Sequence, residues 1–141
     1  MANTQAVSVQ FKQDAMTAIL PGGISTLKAA LYLASATTNG SNTAYTATGE
    51  VSGTNYSAGG VAVTAATAPA VTGTTVYWTP SANIVYTTVT LSTSFDAVMI
   101  YDTARTNKAI GVWTFGAQTV TAGTLTLTMP TNDSTNALLR M

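Results

Sequence analysis

The chain has 141 residues, which suffices for one ordinary domain whose core needs no metal or disulfide. It contains neither cysteine nor histidine. This excludes thiol catalysis, disulfides and Ser-His-Asp or Cys-His catalytic arrangements, and it disfavours a structural zinc or copper site. Five basic and five acidic residues give no net charge, and the basic residues are too dispersed to neutralise a row of phosphates. We therefore expect no cofactor, no metal and no nucleic-acid partner.

Targeting and membrane signals are not visible in the sequence. The longest clean apolar run, residues 97–101, is far shorter than the roughly 18 residues of a membrane span. No basic segment followed by a hydrophobic stretch marks a secretory signal. We expect a protein that is made in a cytoplasm and has no membrane partner. Because so few charges keep copies apart, the composition suits a protein that works within an assembly.

The first 20 residues have a helical pattern. Apolar residues recur at steps of four, at Val7, Phe11, Ala15 and Ile19. This spacing predicts an amphipathic helix over residues 5–20, ended by Pro21 and the two glycines after it. Residues 1–22 would then form a helical arm. Two interpretations are open: the helix packs on its own domain, or it docks on a neighbouring subunit.

After residue 23 the pattern becomes that of strands and turns. Alternating apolar residues predict about eight short strands, in segments 27–33, 61–63, 76–78, 89–91, 98–101, 109–115, 125–129 and 138–139. The first of these is expected to be half-buried. The fifth and sixth flank a charged loop and predict a hairpin. The fold class is therefore all-β, an antiparallel sandwich or barrel over residues 23–141.

A long segment without strand character, residues 37–60, interrupts this pattern. Val51 is its single strong apolar signal. Connections of this length in a compact domain are usually functional or disordered. Tyr45 and Tyr56 within it either contact a partner or cap one end of the sandwich.

The acidic residues offer little for catalysis. They are Asp14, Glu50, Asp96, Asp102 and Asp133. A glycosidase needs just two suitably spaced carboxylates, so it is the one enzyme class that composition leaves open. Nothing in the spacing pairs these residues, and we expect each to form a turn or to be a solvated surface charge. The chain is not expected to be an enzyme.

The aromatic residues allow two interpretations. Tyr77, Trp78, Trp113 and Phe115 could form a platform on which a sugar stacks, or they could belong to the core. In alternating strands an aromatic residue is more often part of the core, which is the interpretation that we favour.

Several strings resemble a known family. They are FKQDAMTAIL, TLKAALYLASAT, TAYTATGEVSGTNYSAGG, AVMIYDTARTNKAIGVWTFG and the terminal ALLRM. The third is the most specific, and together they make the chain similar to small virion proteins of tailed bacteriophages, in particular the capsid cement, or decoration, proteins. The resemblance implies a jelly-roll sandwich on the outer surface of a phage head. It also implies two partners. One is the major capsid protein, and the other is a second copy of the chain, in a homodimer rather than a trimer.

The expected function is therefore structural. The residues expected to contact a partner are Val7, Phe11, Ile19, Tyr45 and Tyr56. Two alternatives stay open: a component of the phage tail or neck, and a carbohydrate-binding β-sandwich module.

Overall fold

A computed structural model describes residues 3–141, and most of its regular structure is β-strand. It contains one α-helix, one 3₁₀ turn at Thr103–Arg105 and seven strands in two antiparallel sheets. In chain order the elements are α1 (Val9–Ile19), β1 (Leu27–Leu33), β2 (Val61–Ala62), β3 (Ala70–Thr72), β4 (Thr75–Trp78), β5 (Ile84–Asp102), β6 (Lys108–Leu127) and β7 (Leu139–Arg140). The prediction of an all-β chain with one short N-terminal helix is confirmed.

The chain forms two compact units. The first comprises residues up to Ile24 together with 64–82 and 129–141, and the second comprises residues 25–63 and 83–128. The predicted division into an arm of residues 1–22 and a sandwich domain of residues 23–141 stays a prediction.

In the first unit, α1 packs against the sheet formed by β3, β4 and β7. The helix begins at Val9 rather than at residue 5. Ser8 precedes it without a capping side-chain hydrogen bond, and its first turn has no acidic residue. The first N–H groups of the observed helix therefore have no side-chain cap. Its end before Pro21 is as predicted.

The small sheet of the first unit buries one of the two tryptophans. β3 and β4 form a tight hairpin, and β7 adds to the other side of β4. Trp78 on β4 is 0% exposed, and its indole N–H donates to the Thr67 carbonyl at 3.1 Å. Trp78 therefore belongs to the core, and its alternative role as a sugar-stacking platform is wrong.

The second unit contains a four-stranded sheet in the order β2-β1-β5-β6. β1 is buried on both faces, not on one as expected. Ala30 and Tyr32 pack on Met99 and Tyr101 on one side of the sheet, while Leu31 and its same-face neighbours are buried on the other. The alternation of small and large apolar residues does not by itself show whether a strand is buried on one face or on both.

β5 and β6 form a hairpin that is far longer than predicted. The predicted strands at 89–91 and 125–129 merge into it, which leaves six of the eight predicted strands, and β3, which was not predicted, makes seven. Bulges shift the register at several places along the pair. Each bulge breaks the alternation of side chains, so one continuous strand has the pattern of several short ones. At the tip, the buried Asp102 accepts a hydrogen bond from the Ala104 N–H, so it forms a turn but is not solvated.

Candidate functional site

The helical arm exposes most of the apolar stripe predicted for it. Phe11 is 66% exposed, Val7 63% and Ile19 39%. The helix instead buries Met16, with Leu20 just beyond its end. The arm therefore packs on its own unit through one face and presents a second apolar face to solvent.

The second candidate region lies in the segment 37–60, around the carboxylate of Glu50. One carboxylate oxygen accepts hydrogen bonds from the Tyr56 hydroxyl at 2.8 Å and from the Gly59 N–H at 2.7 Å. The other accepts from the Tyr45 hydroxyl at 2.5 Å. Three donors separated along the chain thus converge on one side chain. Charge-assisted bonds of this kind are about twice as strong as neutral ones.

Further tyrosines tie this segment to the sheet beneath it. The Tyr56 hydroxyl also accepts from the Leu31 N–H at 3.0 Å, and the Tyr101 hydroxyl donates to the Gly59 carbonyl at 2.7 Å. Tyr45 stacks on Tyr101 with ring centroids 4.8 Å apart. We call the group formed by Glu50 with Tyr32, Tyr45, Tyr56, Tyr86 and Tyr101 the tyrosine cluster.

The hydroxyls of the tyrosine cluster are held in their protonated state. Burial raises the pKa of Tyr32 to about 12. Burial, reinforced by the nearby Glu50 carboxylate, also raises the pKa of Tyr45, Tyr56, Tyr86 and Tyr101. A protonated phenol can donate to a carboxylate or a carbonyl, and the raised pKa values extend this protonated state from neutral into alkaline pH. The arrangement locks the segment onto the sheet.

Two adjacent glycines make this close packing possible. Gly59 and Gly60 both have positive φ, at 90° and 78°. A Cβ at position 60 would lie 1.7 Å from the Ala29 carbonyl oxygen, and one at position 59 would lie 2.9 Å from the Tyr101 hydroxyl. Glycine alone adopts this backbone without strain and leaves room for both neighbours.

The same segment covers the edges of two strands. The Leu33 N–H donates to the Gly49 carbonyl and the Val51 N–H donates to the Leu31 carbonyl, so the segment covers the side of β1 that faces away from β5. Thr54 forms two backbone bonds with Thr90 on β5. We call residues 43–60 the edge cover.

The edge cover also reaches the beginning of β6. There Tyr45 and Thr43 bond to Asn107 and Ala109. The long segment is thus ordered by backbone pairing as well as by the tyrosine cluster.

The structure places the five predicted contact residues in two groups. Val7, Phe11 and Ile19 lie on the arm, in the first unit. Tyr45 and Tyr56 lie in the second unit, both half-buried, on the two oxygens of Glu50. Glu50 was not predicted to be their shared acceptor. The available signal was a lone carboxylate between two tyrosines in a segment without other charges.

The other acidic and aromatic residues considered from the sequence form no further site among the described residues. Among residues 3–141, no group of three acidic side chains is placed to hold a metal ion. Asp133 forms a turn, with its carboxylate accepting from the backbone N–H groups of Thr135 and Asn136. Trp113 is half-buried with its ring over Gly111, and Phe115 meets Phe95 edge-on.

A cleft of about 370 Å³ lies beside the edge cover. Its lining is uncharged and without aromatic side chains, formed by Ser35, Ala36, Thr37, Thr38, Asn42, Thr46, Thr48 and Gly49. Ligand sites are usually lined by apolar and aromatic groups around a few polar ones, and this cleft lacks that character.

Comparison of the chain with protein-family models, curated proteins and solved structures finds no match. Over the described residues, no helix is both long and apolar enough to cross a membrane.

Proposed function

We propose that this protein is a structural virion protein that binds the outside of a tailed-phage head and stabilises the capsid. Its partner is the major capsid protein, and a jelly-roll arrangement of the strands is part of the same proposal. It acts by occupying sites on the shell and carries out no chemical reaction. The protein would be made in the cytoplasm of the host bacterium and end on the surface of the virion.

The observation that carries the proposal is the exposed apolar face of the arm. Val7 and Phe11 are the two most exposed of the large apolar side chains in the described chain. Val7 lies just before α1, while Phe11 and Ile19 are on it. Exposed apolar side chains grouped in this way on and beside a helix are typical of segments that dock on a partner. On a shell, many symmetry-related copies of one groove are available to such a helix.

The distribution of charge supports the same proposal. No charged residue occurs between Glu50 and Asp96, or between Lys108 and Asp133. Long uncharged stretches suit a protein that lies among neighbours and gains affinity by contacting several subunits at once. The locked edge cover adds a rigid surface that loses little conformational freedom on binding.

The test is cosedimentation of the purified protein with expanded, undecorated phage heads. We expect binding at micromolar concentration and a higher melting temperature of the heads. The double variant Val7→Ser/Phe11→Ser should bind at least about tenfold more weakly, since each lost apolar contact is worth one to several kcal/mol.

The matched control is Val71→Ser/Val85→Ser, which alters two exposed valines on β3 and β5. It should bind as the natural protein does. Absence of binding by the natural protein at micromolar concentration contradicts the proposed function. Equal binding by both double variants contradicts the role of the arm.

A further inference from the structure

One asparagine of this chain meets the sequence requirement for a reaction with its own backbone. Asn39 is followed by Gly40, whereas a residue with a side chain follows each of the other asparagines. The backbone nitrogen after an asparagine can attack the side-chain amide of that asparagine. A glycine leaves this approach unhindered because it has no Cβ. The sequence therefore distinguishes Asn39 from the other asparagines.

The structure leaves the attacking nitrogen accessible. Asn39 and Gly40 are both exposed, in the loop that follows β1. Among the described residues, none accepts a hydrogen bond from the Gly40 N–H. A Cβ at position 40 would meet nothing within 4 Å. Solvent can therefore reach this N–H and remove its proton, and the loop has room to move around it.

The amide that would be attacked is held by hydrogen bonds within the same loop. The Asn39 Oδ1 accepts from the Ser41 N–H at 2.8 Å and from the Ser41 hydroxyl at 2.7 Å. Two donors at such distances from a carbonyl oxygen stabilise the negative charge that develops there during nucleophilic attack. The Asn39 amide nitrogen donates to the Thr37 carbonyl at 2.9 Å, which fixes the orientation of the side chain. The fold thus orients and polarises the amide that the sequence identifies.

We propose that Asn39 is a site of intramolecular deamidation, in which Gly40 supplies the nucleophile and Ser41 stabilises the oxyanion. The Gly40 nitrogen loses its proton to solvent base and forms a bond to the Asn39 Cγ, which places the negative charge on Oδ1. Collapse of this intermediate breaks the bond between Cγ and Nδ2, and ammonia leaves with a proton taken from solvent. Water then opens the resulting succinimide ring to aspartate or isoaspartate. The proposal concerns the isolated protein and does not depend on binding to a phage head.

The reaction would change a region that has no charge. No charged residue occurs between Lys28 and Glu50. Asn39 forms hydrogen bonds with Thr37 and Asn42, which both line the cleft beside the edge cover. A carboxylate at position 39 cannot donate to the Thr37 carbonyl, so this bond at the rim of the cleft is lost. Deamidation would therefore act as a slow, irreversible switch of the loop.

The test follows each asparagine by peptide mass spectrometry while the folded protein is incubated at neutral pH. We expect Asn39 to convert at least about tenfold faster than Asn42, which lies in the same loop and precedes a threonine. Gly40→Ala should slow the conversion at least about tenfold, because the methyl group hinders the attack. Ser41→Ala keeps the backbone N–H but removes the hydroxyl, and it should slow the conversion at least about threefold. Isoelectric focusing gives a second readout, since one added charge is a large change in a chain with five charges of each sign.

The matched control repeats the comparison of Ser41→Ala with the natural protein after both are unfolded in guanidinium chloride, where the fold no longer holds Oδ1. There the two rates should agree within about twofold. An Asn39 that stays intact in the folded natural protein overturns the proposal, as does faster conversion of another asparagine. An unchanged rate in folded Ser41→Ala also overturns it, and so does equal slowing by this variant in the folded and unfolded chains.

Discussion

At the scale of single residues, Glu50 organises the second unit. Its carboxylate accepts from Tyr45, Tyr56 and Gly59, three donors at separate positions of the edge cover. Removing an acceptor leaves its donors unsatisfied where the packing excludes water, and that costs more than the bond itself contributes. The ordering of a segment of more than twenty residues therefore depends strongly on one side chain.

Replacing Glu50 by alanine should lower the free energy of unfolding by about 2–4 kcal/mol, because three donors lose their acceptor. Glu50→Gln should cost less, since the amide oxygen can still serve two of them. Urea unfolding measures both values. The control Asp14→Ala, which removes one exposed bond to Gln10, should change the value by less than about 0.5 kcal/mol. Equal effects of Glu50→Ala and the control contradict this role.

The tyrosine cluster predicts loss of stability at alkaline pH. The folded protein raises the pKa of these phenols above the ordinary value near 10, with Tyr32 at about 12. A raised pKa means that the unfolded chain releases protons first. The stabilisation is therefore complete below pH 10 and is lost as the pH rises towards 12 and beyond.

Phenol ionisation followed at 295 nm should therefore coincide with the loss of the circular dichroism signal of the fold. Ionisation of the clustered tyrosines near pH 10 in a protein that keeps its fold contradicts the burial described for them. The Tyr56→Phe variant loses a hydroxyl but keeps the ring. Its alkaline unfolding transition should move to lower pH but should still be present.

At the scale of elements, the edge cover depends on its glycines as much as on its tyrosines. Gly60→Ala should destabilise the protein by about 3 kcal/mol or more, because the added methyl group meets the Ala29 carbonyl and the backbone has positive φ. Gly40→Ala is the matched control, since a Cβ there meets nothing within 4 Å and should be tolerated. Thermal unfolding distinguishes the two variants, and similar melting temperatures would contradict the close approach.

The elements that sequence patterns predicted best are those with local signals. The stop of α1 at Pro21, the strand β1 and the turn between β5 and β6 all follow from proline, alternation or clustered charge. The length of the β5–β6 hairpin could not be predicted in this way, because its bulges reset the alternation.

The candidate site was predictable only in part. Tyr45 and Tyr56 stood out by their residue type, but their meeting at Glu50 depends on how the chain turns between them, with positive φ at Gly49 and Asn55. The inward face of α1 was also missed: Met16 and Leu20 pack inwards, while the more regular stripe of Val7, Phe11 and Ile19 is exposed. Periodicity identified this stripe but gave no information on which face a domain would cover.

At the scale of the whole molecule, the small number of charged residues means that binding to a partner should depend little on ion pairs. A contact surface of exposed apolar side chains and uncharged polar groups is insensitive to ionic screening. Raising NaCl from about 0.05 M to about 0.5 M should therefore change the affinity for phage heads by less than about threefold. Isothermal titration at both salt concentrations measures this, and a loss of affinity of a hundredfold or more would indicate an interface held by ion pairs.

Location on the particle distinguishes the proposed function from its nearest alternative. A cement protein occupies symmetry-related sites over the whole shell, whereas a tail or neck component is present in about six or twelve copies. Quantitative mass spectrometry of purified virions gives the copy number relative to the major capsid protein.

The most direct measurement is an electron cryomicroscopy map of expanded heads mixed with the purified protein. Binding to the outside of the shell predicts density for the two units at every symmetry-equivalent site, with Val7 and Phe11 of the arm against a capsid subunit. A map whose outer surface shows no added density at saturating protein, or density restricted to the portal and tail, would contradict the account.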